Sequence, residues 1–217
     1  MRTAPLADDV GPLVVALGDS VPAGTTCDCR PFPDRYAQLL SARSVDAAQP
    51  GFTSADLRDQ LTDPRIRAVL AGATVVLIMA GANDLAEPFE NGGTEDAYEA
   101  AAESVERNVA AVVSGVDAGH VGTPVTVVVL GYWNVVKDGA VAVAEYGPDG
   151  QASSRTATRF ANDALRRAAA ETGAKYVGTA AAFGPDPTAL LGPDGDHPND
   201  QGHQAIADAL YAALPVP

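Results

Sequence analysis

The sequence is poor in the residues that most site chemistry draws on. Its 217 residues include two cysteines, three histidines and one tryptophan. Two cysteines, Cys27 and Cys29, cannot build the multi-bridge framework of a small disulfide-stapled domain. A Cys-x-Cys pair closes a very small ring and offers too few ligands for an ordinary zinc site, so free thiols in a loop are expected. Basic residues are also scarce, 14 Lys and Arg against 28 Asp and Glu, for a formal charge of -14. They are scattered rather than clustered, so a nucleic-acid phosphate backbone would be repelled. No apolar run approaches the roughly 18 residues that span a bilayer. The N-terminus carries Arg2 but continues into Ala7-Asp8-Asp9 rather than an apolar signal region. The chain therefore reads as cytoplasmic if complete and as secreted if a signal peptide has been removed. Internal repeats and low-complexity tracts are lacking. Nothing in the sequence sets the oligomeric state.

What is present is an alternation of strands and helices. A length of 217 residues suits one domain, expected over 1–217 with 1–11 as an extended tail. Leu13 to Leu17 is continuously apolar, the pattern of a strand buried on both faces. Pro33 to Arg43 has helical spacing, and Ser44 to Ala48 is a short second strand before Pro50-Gly51. Thr53 or Ser54 caps a helix through Leu57 and Leu61, and another starts near Pro64. Thr74 to Ala80 is the clearest central strand. Thr94 caps a long helix with the stripe Tyr98, Ala102, Val105, Val109, Val112, Val116. Val125 to Leu130 is a further strand, and the Gly- and Pro-containing stretch 135–151 reads as a loop or flap. A helix over Ser153 to Thr172, a last strand over Lys175 to Thr179, and a final helix burying Ile206, Leu210 and Leu214 complete the chain. Nearly continuous apolar strands alternating with helices predict a parallel sheet covered on both faces. The expected fold is a three-layer α/β/α sandwich around a doubly wound sheet of about five strands.

Polar residues gather where the strands end. Ser20 follows the first strand within Gly18-Asp19-Ser20, Gly51 follows the second, and Asn83 the third. In open parallel sheets that edge is where ligands bind. Gly, Asp and Ser are also ordinary turn residues, so the tripeptide alone decides nothing. A hydroxyl nucleophile needs a base, and three histidines make the search short. His120 lies past the long helix, where a cation complements the dipole. His203 falls within the final helix, the setting of a packing or surface residue. His197 sits in a loop three residues after Asp194. An Asp-x-x-His turn lets the carboxylate reach one ring nitrogen and leaves the other free as a base. Asn199 also makes this loop a plausible helix entry.

In order and approximate spacing, Gly18-Asp19-Ser20, Gly51 before Thr53, Gly81-x-Asn83-Asp84 and Asp194-x-x-His197 resemble the four blocks of the SGNH (GDSL) hydrolases. The resemblance covers nearly the whole chain and implies a flavodoxin-like sandwich with esterase, lipase or acyl-transfer chemistry. It implies a Ser20–His197–Asp194 triad and an oxyanion hole from Ser20, Gly51 and Asn83. Pro50 stands where the family usually has a small or polar residue before the glycine. The Gly-x-Ser-x-Gly elbow of α/β-hydrolases is lacking, since Pro22 occupies the second glycine's place. Asp19 and Asp84 are expected to brace the loops by accepting backbone N–H bonds.

The expected activity is hydrolysis of carboxylic esters, with short acyl or glycosidic acyl esters preferred, through an acyl-enzyme and with no metal or cofactor. Phe52, Tyr132 and Trp133 are candidates to line the substrate pocket, each equally suited to core packing. Acyl transfer, thioester cleavage or a lipase activity on the same site is the nearest alternative. A metal-dependent phosphotransferase using Asp19 would want a second carboxylate where Val21 stands. A non-catalytic flavin-binding module would want a phosphate loop that Val21-Pro-Ala-Gly-Thr-Thr26 matches only in part.

Overall fold

A computed structural model describes residues 11–120 and 124–214; the expected extended tail 1–11 lies almost wholly outside the described residues. Five strands form one sheet: β1 (Leu13–Gly18), β2 (Arg43–Asp46), β3 (Val75–Met79), β4 (Thr126–Gly131) and β5 (Lys175–Gly178). All pairings are parallel, in the order β2-β1-β3-β4-β5. β1 is buried along its whole length, as are four of the five residues of β3. This explains why both read as unbroken apolar runs rather than alternating ones. β2, an edge strand, buries none of its residues fully. The chain winds outward from β1 in both directions, so the point where strand order reverses lies between β1 and β3.

The helices are α1 (Phe32–Leu39), α2 (Ser54–Gln60), α3 (Pro64–Leu70), α4 (Ala82–Glu90), α5 (Glu95–Ala118), α6 (Gly139–Thr172), α7 (Ala180–Phe183) and α8 (Asp200–Ala213). α1 packs on α8, while α5 packs on α2, α4 and α6. α5 starts where Thr94 accepts the Ala97 N–H, with Glu95 and Asp96 in its first turn complementing the dipole. Its buried stripe is Tyr98, Ala102, Val105, Val109, Val112, Val113 and Val116. None of the helices is long and apolar enough to cross a membrane, among the described residues.

Three expectations are corrected. The stretch 135–151 is not a loop: α6 begins at Gly139, capped by Asp138, and runs to Thr172 with a kink at Gly147, whose φ of 64° precedes Pro148. That dipeptide bends a helix here instead of ending it. α4 was not assigned from the sequence; Pro88 lies inside it, but only its last turn meets the missing N–H. Finally, Cys27 and Cys29 are joined in a disulfide, not free. The loop geometry brings their Cα atoms to 5.1 Å, within bridging range despite the single intervening residue.

Candidate active site

The β1 turn is held by hydrogen bonds to buried groups. Gly18 has a φ of 145°, and a Cβ there would stand 2.0 Å from the Met79 carbonyl oxygen, so only glycine lets β1 and β3 close up. Asp19 donates its N–H to Met79 O at 3.1 Å, extending the ladder one residue past β1. Its side chain is fully buried. One carboxylate oxygen accepts the Val21 N–H at 3.0 Å and the other accepts the Tyr132 hydroxyl at 2.5 Å. Burial pushes Asp19 up to about 6, against the lowering effect of those two donors. Asp19 is thus a brace that fixes the backbone on either side of Ser20.

The second and third turns are tied together. Gln49 donates to Gly18 O at 2.9 Å, which carries the β2 segment alongside the Ser20 turn and brings Gly51 to the same edge. Gly51 has a φ of 82°, and a Cβ would meet nothing within 4 Å, so its backbone is open to an approaching group. The Asn83 amide, in the first turn of α4, donates to Phe52 O at 2.8 Å. That leaves its second amide hydrogen available. Asp84 accepts from both the N–H and the hydroxyl of Ser54, at 2.8 and 2.6 Å, and so braces the start of α2. Burial raises the Asp84 carboxyl despite these donors.

The fourth turn precedes α8. Asp194 Oδ1 accepts the N–H groups of Asp196 and His197, at 3.1 and 3.2 Å, and Oδ2 lies 2.7 Å from His197 Nδ1. Burial works against the charged carboxylate, but these three donors outweigh it and hold Asp194 below its ordinary value. A carboxylate at this distance favours the tautomer with its proton on Nδ1. The turn is pinned by Gly192 N–H to His197 O at 2.7 Å, by Asp138 N–H to Gly195 O at 2.7 Å, and by Asn199, which caps α8.

Ser20, Asn83, Asp196 and His197 line one cavity of about 200 Å³, together with Glu90, Tyr132, Lys137 and Tyr146. No hydrogen bond joins Ser20 to His197 among the described residues, and such contacts commonly tighten only around a substrate. Burial raises the Asp196 carboxyl, opposed by His197. Lys137 pairs with Glu145 at 2.7 Å. A larger groove of about 550 Å³ between α5 and α6 is lined by none of Ser20, Gly51, Asn83 and His197.

The aromatic candidates divide. Tyr132 reaches the cavity wall, but its hydroxyl is committed to Asp19. Trp133 stacks on Phe183 at 4.0 Å between centroids and lines a neighbouring cavity. Phe52 contributes its carbonyl to Asn83 and is not among the residues around the Ser20 cavity. The Trp133 ring is taken up by its stack on Phe183 of α7. Of the other histidines, His120 contacts Val116 O at 2.8 Å, and His203 is buried, its Nδ1 accepting the Phe32 N–H. Glu90, Lys137 and Tyr146 escaped the sequence reading because α4 and the first part of α6 were not foreseen. The glycines and Pro148 of this stretch hid a helix whose start, Asp138 before Gly139, is a cap signal.

The model of the GDSL-like Lipase/Acylhydrolase family matches residues 16–205. The chain belongs to this family. It is a carboxylic ester hydrolase with the α/β/α fold of that family. Among solved structures, this GDSL-like hydrolase is similar to the lipase Lip_vut3 from a goat rumen metagenome, with a TM-score of 0.77 and 21% identity over 94% of this chain and 97% of that one. It is also similar to the extracellular lipase of Streptomyces rimosus, with a TM-score of 0.70 and 20% identity over 94% and 100%. The acetyl-xylooligosaccharide esterase Axe2 of Geobacillus stearothermophilus gives 0.68 and 19% over 96% of each chain. Identities this low speak for the shared fold. A search of curated protein sequences finds no match.

Proposed function

We propose that this hydrolase cleaves short-chain carboxylic esters through Ser20 as nucleophile, His197 as general base and acid, and Asp194 as the group that orients His197. The observation that carries the reading is the 2.7 Å contact from Asp194 to His197 Nδ1 at the rim of the cavity that also holds Ser20. In this scheme His197 Nε2 takes the Ser20 proton as the hydroxyl attacks the ester carbonyl, then returns it to the departing alcohol. Water repeats the sequence on the acyl-enzyme. Asp194, charged across the working range, stabilises the imidazolium that forms in each half. The oxyanion is received by the Ser20 and Gly51 N–H groups and the spare amide hydrogen of Asn83. Two variants of Axe2 named as catalytic mutants replace a serine and an aspartate with alanine, in keeping with these roles.

The cavity favours a small acyl group. Its volume of about 200 Å³ is below the usual range for drug-sized ligands, and Glu90, Lys137, Tyr146 and Asp196 give it a polar rim. That rim suits a hydroxyl-rich alcohol portion, such as a sugar, better than a second fatty chain. The test is kcat/KM of wild type and Ser20→Ala on p-nitrophenyl esters from acetate to palmitate. The reading predicts a maximum between acetate and hexanoate and no Ser20→Ala turnover. A steady rise to the longest chains would convert it to a lipase, and an active Ser20→Ala enzyme would remove the nucleophile. Labelling by a serine-directed phosphonate should map to Ser20.

A further inference from the structure

The loop between Ser20 and α1 holds a group of side chains that ester hydrolysis does not use. Cys27 and Cys29 lie half-buried in it, and a ring nitrogen of His203, from α8, lies with both sulfurs inside a 4.8 Å circle of one another. His203 is fully buried. Its Nδ1 accepts the Phe32 N–H at 3.3 Å, whereas its Nε2 is buried without any hydrogen-bond partner. An interior nitrogen with nothing to bind is unusual enough to require a cause. The disulfide is a poor partner for it, because its sulfurs are only weak hydrogen-bond acceptors.

We propose that Cys27, Cys29 and His203 form a redox-gated site for one thiophilic d10 cation, Zn²⁺ in the first instance, which opens when the disulfide is reduced. The reducing step takes two electrons and two protons from a dithiol: the Cys27–Cys29 bond breaks, each cysteine sulfur gains one proton, and the dithiol leaves as a disulfide. Zn²⁺ then displaces the two thiol protons and binds two thiolates and an imidazole. Two thiolates and one imidazole are the soft and borderline ligands that Zn²⁺ or Cu⁺ selects over Mg²⁺ or Ca²⁺. Once free of each other the sulfurs can part to the roughly 3.7 Å that two Zn–S bonds of ~2.3 Å subtend at a tetrahedral centre. Three protein ligands leave a fourth position for water, reached through the half-exposed cysteines.

Coordination through Nε2 moves the ring proton to Nδ1, so the long 3.3 Å bond from Phe32 is the contact that the metal-bound form gives up. The site also touches the ester-cleaving machinery. Thr25 donates to Ser20 O at 3.0 Å and Cys27 to Gly24 O at 3.2 Å, so the cysteine loop is hydrogen-bonded back to the nucleophile turn. His203 is the fourth residue of α8, about one turn from the loop that carries His197.

The test uses the full chain, reduced with dithiothreitol, freed of it anaerobically by gel filtration, and titrated with Co²⁺ and then Zn²⁺. The reduced wild type should bind one Co²⁺ with thiolate-to-cobalt charge-transfer absorption, which equimolar Zn²⁺ abolishes. The oxidised protein should show neither signal, and Cys27→Ser and Cys29→Ser should each weaken binding at least about tenfold. X-ray absorption at the zinc edge should show two sulfur neighbours and an imidazole, a readout that does not depend on a His203 variant folding. Equal Co²⁺ binding by the oxidised form, or no binding by the reduced form beyond that of the Cys27→Ser/Cys29→Ser double variant, would overturn the site. A zinc edge without imidazole would remove His203 from it.

Discussion

Two aspartates at the same edge of the sheet meet opposite fates. Asp19, at the end of β1, is fully buried, and its carboxyl is pushed up to about 6. Asp194, in the loop before α8, keeps about a third of its side chain exposed and is held below its ordinary value. Both accept backbone N–H bonds from the residues just after them, so local turn chemistry is shared. Solvent and the third partner differ. Asp19 faces the Tyr132 phenol in the buried interior, which suits a rigid brace. Asp194 faces an imidazole at a cavity rim, where a carboxylate charged at neutral pH can stabilise a developing cation. The same residue type is a scaffold in one turn and a charge partner in the other.

The largest effect should come from the group that both turns serve. Ser20→Ala is expected to lower kcat on the order of 10⁵-fold or more with the fold unchanged, measured on p-nitrophenyl acetate with melting temperature as control. Next, Asp194→Asn should cost about 10⁴ in kcat through loss of tautomer control, and Asp196→Asn far less. The reverse ranking would mean that Asp196, not Asp194, is the partner of His197. Asn83→Ala should lose about 10²–10³ in kcat with KM little changed, because an oxyanion donor acts mainly in the transition state. A folded variant within a few-fold of wild type would leave Asn83 only its bond to Phe52 O.

The two aspartates also predict stability curves of opposite sense. Asp19 titrates at about 6 when folded against an ordinary value of 3.8, so the folded state binds the extra proton between those values. Stability from this group is greatest in acid, falls as pH rises from about 4 through 6, and is flat above. The fall is worth about 3 kcal/mol at most. Asp19→Asn keeps an oxygen for Val21 N–H and removes the titration, so its denaturant-unfolding free energy should decline less over this window than the wild type's. Asp194, depressed when folded, adds stability above its ordinary value and loses it as pH falls through the folded one. Asp194→Asn should therefore be less stable than wild type at neutral pH and converge with it in acid. Parallel curves for the two variants would erase the distinction between brace and charge partner. Smallest of all, Tyr132→Phe should destabilise by about 1–3 kcal/mol, by leaving one Asp19 oxygen unpaired, with kcat changed only a few-fold.

Much of this was legible in one dimension because the physics behind it is local. Continuous apolar runs closed by turn residues fit strands buried on both faces, and Thr94 and Asn199 mark helix starts through groups within three residues. The Asp194-x-x-His197 contact spans a single turn, so spacing alone anticipates it. α4 and the first half of α6 were hidden because Pro88 and Gly147-Pro148 oppose helix locally, while packing against α5 and the sheet outweighs that preference. Tertiary structure alone decided that Tyr132, 113 residues from Asp19, spends its hydroxyl on that carboxylate, and that Trp133 turns to Phe183 instead of the cavity. It alone set His203 beside two cysteines more than 170 residues away. Such pairings depend on which strands are neighbours and how far helices stand off the sheet, and no short stretch of sequence carries that distance.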